Sequence, residues 1–260
     1  KQLVFLKKNY EIVSIDDYCK AKNKKGLAAV TFDDGYKNVI ENAYSIIKKL
    51  KIPITIFLIT SFLENKEMFW RDKIRFIMNN NLTEEAKIFF SNKKINIDNF
   101  YRETKNKIHN SILINNLIDE FIKSKKIILE NNPYQITSID DLIDDDLVSY
   151  GSHSFKHYVL STLSFEEQYE DLSRSKNFIN QLDSKKSNLF SIPFGSINDF
   201  DENTIKILKD LNYSGALLSR DFFNTNEQNF FIERAMATNQ DFSYFVKSKF
   251  LKTFLGKRNN

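Results

Sequence analysis

Apolar positions along this chain fall into short unbroken runs separated by stretches of helical period. "GLAAVTF" (residues 26–32) and "PITIFLIT" (53–60) are apolar and of strand length. Between them, "YKNVIENAYSIIKKL" carries Val39, Ile40, Ala43, Ile46, Ile47 and Leu50 at helical spacing. Lysines close that stretch, where they suit the helix dipole. Strand, helix and strand of this length make a βαβ unit. A short strand at "YEIVS" and a brief helix capped by Asp16 precede it.

The pattern changes from about Phe62 to Pro133. Strand signals become scarce, and Asn and Lys become dense. Helical period appears in "MFWRDKIRFIMNN", in "TEEAKIFFSNK", and in a long stretch around "IHNSILINNLIDEFIKSKKIILE" that includes His109. Residues 62–133 therefore read as a helical insertion, with 1–61 and 134–260 forming the main domain. The insertion could fold over one face of that domain. Trp70, at its start, reads as packing the insertion onto the core.

Alternation then resumes. "DLVSYGSH", "NLFSIPFG", "YSGALLS" and "FFIERAMAT" read as strands. "SFEEQYEDLSRSKNFINQL", "DENTIKILKDL" and "QDFSYFVKSKFLKTFL" read as helices, and Ser164 with Glu167 makes a capping box. About six or seven strands in βα order predict a parallel sheet, open or closed into a barrel. Functional groups of such a barrel gather at the C-terminal strand ends.

Composition narrows the options. A chain of 260 residues allows one large domain, or a domain with an insertion. Its 24 Phe and 11 Tyr supply a core and leave aromatic surface for a ligand. The net charge of +4 is spread along the chain, with no basic block interleaved with aromatics, so nucleic-acid binding is not expected. The single cysteine, Cys19, excludes an intrachain disulfide and a cysteine-based zinc cluster, and reads as a small half-buried side chain. No apolar run is long enough to span a bilayer, so no transmembrane segment is expected. No signal-peptide pattern is visible, but the first residue is Lys1, so a native N-terminus could lie upstream. A cytoplasmic and a cell-envelope location both fit, and oligomeric state is not read from the sequence.

Three loops that follow strands then stand out. The first holds Asp33 and Asp34 in "TFDDGY"; the second holds His153 and His157 in "SHSFKH"; the third is "SIPFG". Two of the chain's 3 histidines thus lie four residues apart directly after a strand. Imidazoles so spaced can bind one metal, and an aspartate completes a three-ligand site with an open position for water. Asp34 as ligand and Asp33 as general base would divide the chemistry between the two carboxylates. A cation would also keep Asp34 ionised beside its like-charged neighbour. Each motif alone has a plainer reading. Asp-Asp-Gly is a common solvated turn, and a His-x-x-x-His pair can be structural or exposed.

Together, "TFDDGY", "GSHSFKH" and "SIPFG" resemble the first three motifs of the polysaccharide deacetylase family, also called the NodB-homology or carbohydrate esterase family 4 domain. The resemblance spans about 10–61 and 134–245 and leaves the helical block outside the common core. It implies a distorted, often incomplete (β/α) barrel. It implies hydrolysis of an N-acetyl group from an amino sugar of a glycan or glycan precursor, by water activated on a divalent metal, most often Zn2+. Asp33 would be the base; Asp34, His153 and His157 would hold the metal; the backbone N–H near Phe194 would help stabilise the oxyanion. Tyr36, Pro193 and Gly195 would line the sugar. Many members carry an arginine just before the third motif, paired with the base. Here "NLFS" stands there instead, and Arg234 of "FIERAM" is the substitute, suited to a bidentate contact with Asp33. The late histidine that many members use as general acid is also missing. That absence keeps open a catalytically impaired glycan- or partner-binding domain, and, because the sequence does not assign the sugar-lining residues, an amidase for a small non-sugar substrate in the same fold also stays open.

Overall fold

The computed structural model describes residues 1–65, 68–129, 135–136, 138–222, 224, 229–237, 244 and 246–248. Helix α1 (Gln2–Asn9) opens the chain; the sequence reading did not anticipate it. Its apolar residues, Leu3, Val4, Phe5 and Leu6, form one short run with no helical period, none is buried, and Leu3 and Leu6 only partly cover the core. Strand β1 (Glu11–Ile12) and helix α2 (Ile15–Lys20) follow. The cap of α2 is Ser14, not Asp16: its Oγ accepts the Asp17 N–H at 3.1 Å, while Asp16 lies inside the first turn.

The run "GLAAVTF" is divided between two sheets. Strand β2 (Leu27–Ala28) pairs with β1, and β3 (Val30–Phe32) pairs with β4 (Ile54–Leu58). The chain changes neighbour at Ala29, which an unbroken apolar run cannot signal. Between β3 and β4 the expected helix begins as a π-helical turn, Val39–Ala43, and continues as α3 (Tyr44–Leu50). Lys51 ends it in the left-handed region at φ 50°.

Among the described residues, five α-helices and a 3-10 turn (Ile139–Asp141) separate β4 from the next strand. The helices are α4 (Ser61–Asn65), α5 (Trp70–Asn79), α6 (Thr83–Asn92), α7 (Phe100–Glu103) and α8 (Ser111–Ser124). The long helix expected around "IHNSIL" is shorter, because Asn110 caps it by accepting the N–H groups of Ile112 and Leu113. His109 therefore lies before the helix, half-buried. This segment shares one core with the sheet: Trp70, Ile74, Phe90 and Phe121 belong to the same buried cluster as Phe190, Ala216 and Leu218.

The remaining elements alternate: β5 (Val148–Ser152), α9 (Phe165–Gln181), β6 (Lys186–Ser191), α10 (Glu202–Asp210), β7 (Gly215–Leu218) and β8 (Phe231–Glu233). The capping box of Ser164 and Glu167 starts α9. The main sheet has 6 strands, all parallel, in the order β3-β4-β5-β6-β7-β8. Every residue of β4 and β5 is buried, as expected for strands covered on both faces. The sheet curls into a half-barrel, so the loops after β3 and β8 meet although those strands are its two edges. The expected C-terminal helix (240–255) falls almost wholly outside the described residues. Among those described, no helix is long and apolar enough to cross a membrane. Cys19 is half-buried on α2, and burial pushes its thiol up to about 11, which argues against thiolate chemistry.

Candidate active site

Parallel strands aim their C-terminal ends one way, and four of those ends meet. Asp33 and Asp34 follow β3, His153 and His157 follow β5, Pro193–Gly195 follows β6, and Arg234 follows β8. The loops turn sharply. Asp34, Ser154, His157 and Phe194 have φ of 72°, 65°, 57° and 63°, a region that non-glycine residues seldom occupy. Such strain persists only where surroundings enforce it, and it concentrates at functional sites.

The second loop shows how it is enforced. The N–H groups of Phe155 and Lys156 donate to Oδ1 and Oδ2 of Asp171 on α9, both at 2.9 Å. The His157 N–H donates to Ser154 Oγ at 2.7 Å. Asp171 is buried, and burial raises its carboxyl to about 6 despite those two bonds. The loop is thus wrapped around one carboxylate, which points both imidazoles inward.

His153 Nδ1 lies 2.8 Å from the Ser191 carbonyl oxygen. A carbonyl can only accept, so Nδ1 carries a proton, and Nε2 is the atom that offers a lone pair to the site when the ring is neutral. That Nε2 is 3.4 Å from Asp34 Oδ1, and His157 Nε2 is 3.6 Å from the same oxygen. The imidazole rings are 4.6 Å apart, and one ligand atom each from Asp34, His153 and His157 falls within a mutual 4.8 Å. Burial, reinforced by the charge of His153, pulls His157 down to about 3, so it is a neutral imidazole. Burial opposes charge on His153 as well, but Asp33 and Asp34 outweigh it and draw its pKa up. The site thus attracts positive charge, and two lone pairs and a carboxylate converge to take it. Donor type, tautomer and burial fit a divalent cation.

Asp33 lies beside this trio, with Oδ2 at 3.9 Å from His153 Nε2. Arg234 reaches it across the gap between the sheet edges. Its Nη1 donates to Asp33 Oδ1 and its Nη2 to Asp33 Oδ2, each at 2.8 Å. The same guanidinium donates to Ser191 Oγ at 2.8 Å, to Thr31 Oγ1 and Ser219 Oγ at 3.2 Å, and through Nε to the Leu218 carbonyl at 3.3 Å. Its side chain is 13% exposed and that of Asp33 27%, so the pair is largely shielded from water. Burial would raise the Asp33 carboxyl, but Arg234 and then His153 hold it well below the usual carboxylate range. For Asp34 too, the imidazoles overcome burial and lower the pKa.

The Phe194 ring stands edge-on to His157, with centroids 4.6 Å apart. Pro193 and Gly195 are buried. Gly195 has φ 77°, and a Cβ there would lie 2.7 Å from the Ser219 backbone nitrogen, so the third loop depends on it. Tyr36 is half-buried, and its hydroxyl donates to Asp72 Oδ2 on α5 at 3.1 Å. All nine residues singled out from the sequence therefore lie on the loops of this one rim. The sequence reading overlooked Thr31, Ser191, Ser219 and Asp171. Single serines and threonines are too common to notice, and Asp171 looks like any acidic helix residue.

The curled parallel sheet thus carries an Asp–His–His cluster and an arginine-held aspartate together at its strand ends. The chain matches the family described as Polysaccharide deacetylase over residues 20–216, and it belongs to that family. Solved structures of similar fold include the deacetylase PplD of Streptococcus pyogenes in complex with acetate: TM-score 0.60, 15% identity, 96% of this chain and 84% of that one covered. IcaB from Ammonifex degensii gives 0.60 at 16% identity, covering 95% and 84%. A de-N-acetylase from Aggregatibacter actinomycetemcomitans gives 0.59 at 17% identity, covering 96% and 87%. No curated protein matches the chain.

Proposed function

We propose that this chain is a metal-dependent deacetylase that hydrolyses the N-acetyl group of an amino sugar in a glycan or glycan precursor. The carrying observation is the pairing of two unlike carboxylates: Asp33 fixed by Arg234, and Asp34 directed at two neutral-capable imidazoles. Asp34 Oδ1 and the Nε2 atoms of His153 and His157 would hold the ion. One carboxylate with two imidazoles suits Zn2+. The bound ion supplies Lewis-acid polarisation of the amide carbonyl and acidifies a water toward neutral pH.

The chain's own groups manage the proton. Asp33 is ionised at neutral pH because Arg234 faces it, so it can take a proton from the attacking water. Arg234 occupies both carboxylate oxygens in one plane and so fixes the orientation of the remaining lone pairs. The Phe194 N–H donates to the carbonyl oxygen as it gains charge. Asp33 then returns its proton to the amide nitrogen as the C–N bond breaks, leaving acetate and a free amine. No later histidine exists in the chain to share this step. Tyr36 and the Pro193–Gly195 turn border the sugar.

The test is acetate release from N-acetylglucosamine oligomers, a nucleotide-linked N-acetyl sugar and peptidoglycan fragments. Asp33→Asn is expected to lower kcat by about 10²- to 10⁴-fold while the ion still binds. Full activity in Asp33→Asn would remove Asp33 from the role of base. Tight ion binding with no acetate from any substrate would show a binding domain instead.

A further inference from the structure

The two imidazoles are held by different means. His153 donates Nδ1–H to a carbonyl, the usual second contact of a metal-ligating histidine. His157 has no such contact: its Nδ1 is buried and reaches no hydrogen-bond partner among the described residues. Its ring must be aimed by something else. On one side stands Phe194 at 4.6 Å, and on another Phe69 at 5.1 Å, both edge-on. Its backbone carbonyl accepts the indole N–H of Trp70 at 3.1 Å. Phe69 and Trp70 belong to neither the barrel strands nor their loops; they form the start of α5.

Trp70 is itself rigidly seated. It is 3% exposed and packs on Tyr158 at 6.1 Å and on Phe194 at 6.3 Å. The Arg71 guanidinium lies 4.8 Å from its ring and 4.6 Å from that of Tyr101. Arg71 is anchored in turn by Thr104 Oγ1 at 2.8 Å and the Tyr101 carbonyl at 2.7 Å. Thus α5 and α7 form a stack that ends on the carbonyl of His157, a residue at φ 57°. Without an acceptor for Nδ1, the ring's direction follows its backbone, and the indole bond fixes that backbone.

We propose that Trp70, supported by Phe69, is a positioning residue for the metal site, and that the helical segment between β4 and β5 is a working part of that site. The proposal rests on the metal reading of Asp34, His153 and His157. Its consequence is that ion affinity depends on a hydrogen bond made by a residue that touches neither ion nor substrate.

The experiment is calorimetric titration of Zn2+ or Co2+ into chelator-stripped protein, comparing wild type, Trp70→Phe and Phe90→Leu. Trp70→Phe keeps an aromatic ring but removes the donor together with part of the indole's bulk, and Phe90→Leu is the control for lost packing in the same segment. Phe90→Leu loosens the same segment away from His157, where Phe90 packs on Phe100. Far-ultraviolet circular dichroism establishes that each variant is folded. Expected is affinity about 10- to 100-fold weaker for Trp70→Phe, the usual effect of losing an outer contact of a metal ligand. Phe90→Leu is expected to bind within about twofold of wild type, as separated sites act independently. Unchanged affinity in Trp70→Phe overturns the proposal, as does an equal loss in Phe90→Leu. Failure of the wild type itself to bind either ion overturns the metal reading beneath it.

Discussion

Replacing Arg234 by methionine removes the cation from Asp33 and keeps most of the side-chain volume. Two charge-assisted bonds at 2.8 Å disappear, in a pair whose side chains are only 13% and 27% exposed. Breaking a pair this shielded costs about 3–5 kcal/mol, because the remaining charge is left without a partner. For a chain of this size that lowers the melting temperature by on the order of 10 °C. The Asp33 carboxyl, now held down less, rises. Neighbouring arginines lower aspartate values by about 1–3 pH units, so the acid limb of kcat/KM should move up by a similar amount. The sign of the stability effect fixes where to measure it. A carboxyl whose folded pKa is depressed stabilises above its unfolded value, about 3.9, and loses that contribution as pH falls through the folded one. The stability difference between wild type and Arg234→Met is therefore full at pH 7 and shrinks only in acid. The assay is a pH–rate profile of acetate release beside thermal melts at pH 7. Arg234→Lys keeps the charge but not the planar two-point contact, and should fall between the two. A lower melting temperature with a pH profile superimposable on wild type would refute the reasoning, because Arg234 would then act only as a strut between β8 and β3.

Asp171→Asn should weaken ion binding, since an amide cannot accept both the Phe155 and Lys156 N–H groups. It should also change stability against pH. The Asp171 carboxyl is raised to about 6, so its stabilising influence is full below about pH 3.9 and is lost as pH rises through 6. That loss is about 2 kcal/mol between pH 4 and 6.5 in wild type and should vanish in the variant, as read by denaturant melts. Gly195→Ala should be strongly destabilising, because its Cβ would meet the Ser219 backbone at 2.7 Å with φ at 77°; a melting temperature near wild type would contradict this. Chelation should lower the melting temperature of metal-loaded protein, by about 2.7 kcal/mol of stability if the free ion stood at 100 times its Kd. A scan with and without chelator measures it.

Much of the site was legible because strand-then-loop patterns are local. The apolar runs ending at Phe32 and Ser152, followed by carboxylates and imidazoles, carry their own position in a parallel sheet. Arg234 was legible only through the resemblance: the arginine that many family members place before the third motif is missing here, and Arg234 follows a late strand. The split of "GLAAVTF" was not, because an apolar run is equally apolar whichever strand it pairs with. Nor was the π-helical turn at Val39–Ala43, which changes hydrogen bonding without changing residue type. Trp70 was legible as packing, but its N–H bond to His157 crosses 87 positions and depends on tertiary placement. The four-residue α7 is too short to show a period, yet its Tyr101 carbonyl anchors Arg71.

The central claim is that one ion, held by Asp34, His153 and His157, drives removal of an N-acetyl group. The most direct measurement restores Zn2+ in steps to chelator-stripped protein and follows acetate release from N-acetylglucosamine oligomers. Release is expected to be absent at the start, to rise linearly and to level off at about one equivalent of ion per chain, with Asp34→Ala flat throughout. Undiminished release from the stripped protein, or full release from Asp34→Ala, would contradict the account.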